Sequence, residues 1–163
     1  MSGAGDGFSR RINAVEARLE TLAVKEFPHG HFTPADPATG EQWDAGQVWA
    51  HIGEFGGYWL DEARRVVRDY RGEPVPFGRV KTEAGRVGAI ERDRDSQPVA
   101  MLWEARDAID ALREFVAAAT ESMWVARGRH ETRGLMTVEA IVDEFLVGHY
   151  EEHAGQLEEI LGS

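Results

Sequence analysis

Apolar residues recur at three- and four-residue intervals in four separate stretches, the period of a helix with one buried face. In the first, Phe8, Ile12, Val15, Leu19 and Leu22 share a face, with Ser9 as candidate N-cap and Pro28 as the stop. Residues 28–43 are rich in Pro, Gly, Asp and Thr and read as a loop. The second stretch covers about 44–70, with Val48, Ile52, Phe55, Trp59, Val66 and Val67 inward. Gly53, Gly56 and Gly57 interrupt it. Each costs up to about 1 kcal/mol of helix propensity against Ala, which close approach of a neighbouring helix would offset. Residues 71–97 carry prolines, glycines and dense charge and read as a long irregular connection. The third stretch covers about 98–126, with Ser96 and Pro98 at its start and a stripe of Leu102, Ala105, Ile109, Leu112, Val116, Ala119 and Met123. The fourth follows Thr137, a candidate N-cap. Its stripe runs Val138, Ile141, Val142, Phe145 and Leu146, then His149, His153 and Ile160. Nothing suggests a strand of any length. The pattern predicts an all-α fold, a four-helix bundle, as a single domain over 1–163.

Composition narrows the chemistry. A chain of 163 residues buries about two-thirds of its unfolded surface and needs no covalent staples. It has no cysteine, which excludes disulfides, thiolate metal sites and a cysteine nucleophile. With 42% hydrophobic and 29% charged residues it is not a disordered chain. A net charge of -11 repels phosphate backbones, so no nucleic-acid partner is expected. No apolar run approaches the roughly 20 residues that span a bilayer, so no membrane association is expected. The segment MSGAGDGFSRR has no apolar core, so no signal peptide is visible and the expected location is cytoplasmic.

The fourth stripe changes character at its end. His149 and His153 are four residues apart and differ by about 40° around a helix, so both rings point inward one turn apart. Such a pair can grip one metal ion, or it can be a hydrogen-bonded core pair. His51 lies between Val48 and Phe55 on the inward side of the second helix. It sits ~11 Å from that helix's N-terminus, and the His149/His153 pair sits ~15 Å from the C-terminus of the fourth. These levels agree if the second and fourth helices are antiparallel. A crossing by 71–97 would permit that, and it would make the third helix parallel to the second.

The segments EQWDAGQVWAHIGEF and MTVEAIVDEFLVGHYEEHAGQLEEIL carry a resemblance to a known family. They resemble the DinB-like (DinB/YfiT) superfamily of metalloenzymes, here as a stand-alone domain. A single histidine early in the second helix joined to H-x-x-x-H and a following Gln-Leu in the fourth is the most specific part. The resemblance implies up-down-down-up topology with a long crossover between helices 2 and 3. It also implies one divalent metal ion per chain (zinc, nickel or iron) held by His51, His149 and His153. Some relatives transfer low-molecular-weight thiols of the mycothiol or bacillithiol type, and members are often dimers. A homodimer acting on a small-molecule substrate is therefore the expectation.

Other signals are weaker. HYEEH also fits an inverted zinc-protease string, but that motif needs a third ligand far downstream. Glu91, Asp93 and Asp95 lack EF-hand spacing and read as a solvated loop. His130 reads as a surface residue at the far end of the bundle, and His29 and His31 as loop residues near the site mouth. Gln47, Glu54 and Gln156 are candidates to orient a histidine ring. Glu54, Tyr58 and Glu152 are candidate catalytic groups, with Glu152 placed to act as a base. The five tryptophans read mostly as core or interface residues, with Trp43 and Trp49 flanking the site end, where one could wall a pocket. Three imidazoles leave an open coordination position, as catalytic sites do. A metal there could activate water for hydrolysis or an external thiol for transfer. The competing expectations are a metal- or ligand-binding module without turnover and a purely structural helical dimer.

Overall fold

The computed structural model describes residues 3–162. Four long helices form the body: α1 (Gly3–Ala23), α2 (Ala45–Asp69), α4 (Pro98–Ala118) and α7 (Gly148–Gly162). Helix α1 packs on α4 and α7, and α2 packs on α4 and α7, so each helix has two neighbours around one core. Ile12, Leu19, Val48, Ile52, Phe55, Ile109, Leu112 and Ile160 fill it, as the spacing predicts, and Leu60 and Leu157 join them. Ion pairs tie the outer faces. Arg11 bridges Asp143 and Glu151, Arg18 meets Glu158, and Arg113 reaches Glu16. Among the described residues no helix is long and apolar enough to cross a membrane.

Helix α2 begins where a reciprocal cap stops the backbone from fraying. The Asp44 side chain accepts from Gln47 N, and the Gln47 side chain accepts from Asp44 N. Gln47 is thereby held at the cap, with its amide toward Glu91, and it does not reach a histidine. Gly53 and Gly56 have packing reasons. A Cβ on Gly53 would meet Met101 at 3.3 Å, and one on Gly56 would lie 2.0 Å from Tyr150 Oη. Gly57 has open space around it.

Several boundaries differ from the sequence reading. Helix α1 already runs from Gly3, so Ser9 is interior and caps nothing. The segment 71–97 is not irregular throughout. It contains β1 (Val75–Phe77) and helix α3 (Ala84–Asp93), capped by the Glu83 carboxylate and packed on α2. The third predicted helix stops at Ala118, where Ala119 turns extended and Thr120 caps a new short helix α5 (Glu121–Trp124). That turn buries Trp124 against Phe8 at 5.6 Å, a burial that a straight continuation would forfeit.

A small sheet is present where none was expected. Strand β1 pairs parallel with β2 (Arg127–His130), which pairs antiparallel with β3 (Gly134–Thr137). Strands of three and four residues are too short to show a period-two pattern. In β1 Val75 and Phe77 are buried and Pro76 exposed, and in β2 Gly128 and His130 are buried and Arg127 and Arg129 exposed. Gly128 is required there, because a Cβ would lie 2.5 Å from the Phe77 ring.

The last helical run is broken by a wide turn. Thr137 caps α6 (Val138–Ile141), as predicted, and Val142–Val147 forms a π-helical turn before α7. Such a turn inserts one extra residue into the helix. It slides the buried stripe by one position, so Tyr150 and Leu157 take the inward places that continuous spacing assigns to His149 and Gln156.

Candidate metal centre

The core brings together the histidines that lie far apart in sequence. His51 Nε2 is 2.9 Å from His149 Nε2, and His153 Nε2 is 3.0 Å from the same atom. All three ligand atoms lie within 4.8 Å of one another. His51 and His153 are buried, while His149 is half-buried with 22% of its side chain exposed. The slid register of the wide turn puts His149 at this edge, where the cluster meets solvent.

The outward nitrogens explain what the inward ones can do. His51 Nδ1 donates to Glu54 Oε1 at 2.7 Å, and His153 Nδ1 donates to Gln156 Oε1 at 2.7 Å. His149 Nδ1 faces Glu152 Oε2 at 3.6 Å. A neutral imidazole with its proton on Nδ1 carries a lone pair on Nε2. The fixed rings therefore aim acceptors at a common point and supply no proton to it. A core hydrogen-bonded pair needs a donor between the rings, and this arrangement provides none for His51 and His153. A cation satisfies all three, so the donor set fits a divalent ion of the imidazole-binding kind.

Electrostatics favour the neutral, ligating form. Burial drives His51 well below its ordinary value near 6.5, with His153, His149, Arg86 and Arg79 adding in the same direction. Burial, with His149 acting in the same direction, likewise brings His153 down to about 3, against an upward pull from Gln156. Glu54 is pushed up by burial, but Arg79 Nη2 holds both its oxygens at 2.7 Å and opposes the rise. The contact with His149 lowers Glu152.

The surrounding residues separate into those at the cluster and those away from it. Trp43 walls it, 5.1 Å from the His51 ring and stacked 6.0 Å from His153. Phe55 closes another side, 4.5 Å from His149. Trp49 is buried in the core, and Trp103 is exposed on α4. Tyr58 lies under the Arg79 guanidinium at 4.2 Å. His130 is not on the surface. It is 4% exposed, packed among Phe77, Phe145 and Trp59, with Nδ1 accepting from Thr132 N and Arg133 N. The short strand β2 turns it inward, which helix reasoning could not foresee. His29 is exposed, His31 is half-buried, and neither joins the cluster. Sequence reasoning missed Arg79, Arg86 and Tyr150. The only signal for the arginines was the charge density of 71–97, and for Tyr150 a one-residue phase shift that spacing does not reveal.

The model of the DinB superfamily matches residues 7–157. The chain belongs to the DinB superfamily. Its fold is similar to that of YfiT from Bacillus subtilis, described as a probable metal-dependent hydrolase with an unusual four-helix bundle topology. That similarity has a TM-score of 0.73 at 16% identity and covers 98% of this chain and 87% of YfiT. An uncharacterised protein from Clostridium difficile is similar with a TM-score of 0.61 at 8% identity, covering 98% of this chain and 96% of the other. No curated protein matches the sequence. At these identities the likeness concerns the fold, while the histidine cluster is a feature of this DinB-superfamily chain's own residues.

Proposed function

We propose that this chain is a divalent-metal-dependent enzyme that hydrolyses a small-molecule substrate. His51, His149 and His153 would hold the ion through Nε2. The observation that carries this reading is the convergence of the three Nε2 atoms, two of them on rings whose protons are fixed on the far side. A bound divalent ion supplies a Lewis acid and an open coordination position. Glu54 and Gln156 orient two of the rings, and Arg79 keeps Glu54 in its carboxylate form. Glu152, with 61% of its side chain exposed beside half-buried His149, stands where a proton acceptor would meet substrate. The description of YfiT as a probable metal-dependent hydrolase supports the same chemistry.

Transfer of a low-molecular-weight thiol is the second reading. The absence of cysteine favours an external thiol if thiolate chemistry takes place here. Up-down-down-up order of the four long helices is part of the proposal. It is supported by Trp59 stacking on Phe145 while His51 meets His149 and His153, and by Arg11 and Arg18 advancing in step with Glu151 and Glu158. The proposed homodimer would cover exposed Val99 and Trp103, one turn apart on α4.

Elemental analysis of protein purified without chelator should give about one zinc, nickel or iron per chain. His149→Ala should lose most of it, and full occupancy in that variant would reject the ligand set. Ester and amide substrates, assayed with and without mycothiol or bacillithiol, then separate hydrolysis from thiol transfer. Activity that survives metal removal would reject both.

A further inference from the structure

Two arginines stand beside the histidine cluster, and their charges are unequally matched. Arg79 has 10% of its side chain exposed, gives Nη2 to both oxygens of Glu54, and leaves its buried Nε without an acceptor. Glu54 balances its charge. Arg86, on α3, is 8% exposed. Its Nη1 donates to the Lys81 carbonyl, which is neutral. Its nearest carboxylate is Glu41, 3.9 Å from Nη2 and beyond hydrogen-bond reach. Among the described residues no acceptor takes Arg86 Nε or Nη2. Burial pulls the Arg86 pKa down, and Glu41 and Glu54 oppose that fall from a distance.

The position of this cation gives it meaning. The Arg86 guanidinium lies 5.1 Å from the Trp43 ring centroid, and the same ring touches His51 and His153. Arg86 and the histidine cluster thus border the same aromatic ring. Anchoring α3 through Lys81 and Trp43 uses one N–H and the face of the guanidinium. It leaves the planar edge of Nε and Nη2, whose geometry matches a carboxylate. That edge takes one planar carboxylate group in a two-bond fork, which a tetrahedral phosphate fits less well.

We propose that Arg86 binds a carboxylate of the substrate while the reacting group lies at the histidine cluster, so the substrate class is a small organic acid. This rests on reading the cluster as a metal centre. The test is calorimetric titration of the zinc-loaded protein with succinate, with neutral succinamide and with inorganic phosphate, the zinc content of each sample being measured. Succinate should bind and succinamide should not. Arg86→Gln should weaken succinate tenfold or more at unchanged zinc content. Glu41→Gln, at an exposed position, should tighten it severalfold by removing the nearest competing carboxylate. Equal succinate affinity in Arg86→Gln and the parent would overturn the assignment, as would phosphate binding tighter than succinate. Should Arg86→Gln not fold, unchanged affinity in Glu41→Gln overturns it as well. A parent protein that holds no zinc counts against the metal centre alone, because the dependence of succinate binding on Arg86 then still decides the carboxylate site.

Discussion

His51 shows how much one side chain depends on the groups behind it. Its Nδ1–H is held by Glu54, which is held in turn by Arg79. Removing the carboxylate charge while keeping the shape should loosen the ring and lower its basicity. Glu54→Gln is expected to weaken metal affinity by about 10–100-fold, measured by competition with a chromophoric chelator, with little change in helix content. Gly56 is a second single-residue constraint. An added methyl would meet Tyr150 Oη at 2.0 Å, and that hydroxyl is buried without a partner. Gly56→Ala should destabilise by about 1–3 kcal/mol through overpacking. Tyr150→Phe, which removes an unpaired buried hydroxyl, should be neutral or stabilising. The double variant should recover part of the loss in denaturant unfolding, and independent, additive losses would refute the contact.

At the scale of elements, the start of α2 places His51, because the Asp44 cap fixes where the helix begins. Asp44 also accepts from Arg94 Nη2 at 3.0 Å, which ties the cap to the end of α3. Asp44→Ala is expected to cost about 1 kcal/mol from the lost cap, read as a shift in the urea midpoint at constant slope. A loss below a few tenths would show that the cap is not needed. The stripes of α1, α2 and α4 were legible because each is a regular helix packed on one side. The stripe of the last helix misled after Leu146, because the wide turn Val142–Val147 adds a residue that spacing cannot count. Gly148 marks the end of that turn, since a Cβ there would lie 2.5 Å from the Asp143 carbonyl oxygen.

For the molecule as a whole, the cluster links folding to protons and to metal. His51 and His153 have folded-state values below their unfolded ones, so between those values the unfolded chain binds more protons. Their neutral burial therefore favours the folded state fully above about 6.5. In metal-free protein this stability should be lost progressively as pH falls from there toward about 3, the value reached by His153. Metal bound only by the folded chain adds about 2.7 kcal/mol at a free concentration one hundred times Kd. The melting temperature with zinc should exceed that with chelator at pH 7.5, and the gap should close as the pH approaches 5. A gap that does not depend on pH would contradict ligation by neutral imidazoles.

Helix period, the loop at 28–43 and the cap at Thr137 are local properties of the chain. The sequence therefore determined them through backbone hydrogen bonding and the burial of one face. The grouping of His51 with His149 and His153 was legible as matched depths on two helices. Tertiary structure decided what depends on partners distant in sequence. It set which residue serves each ring, since Gln156 serves His153 while Gln47 stays at its cap. It drew His130 inside through a strand that exists only when β1 and β3 flank it. It brought Arg79 and Arg86 from the charged connection to the edge of the cluster, where Glu54 and Trp43 receive them. A buried guanidinium is stable only where acceptors and aromatic faces assemble around it, and no local pattern along the chain records that assembly.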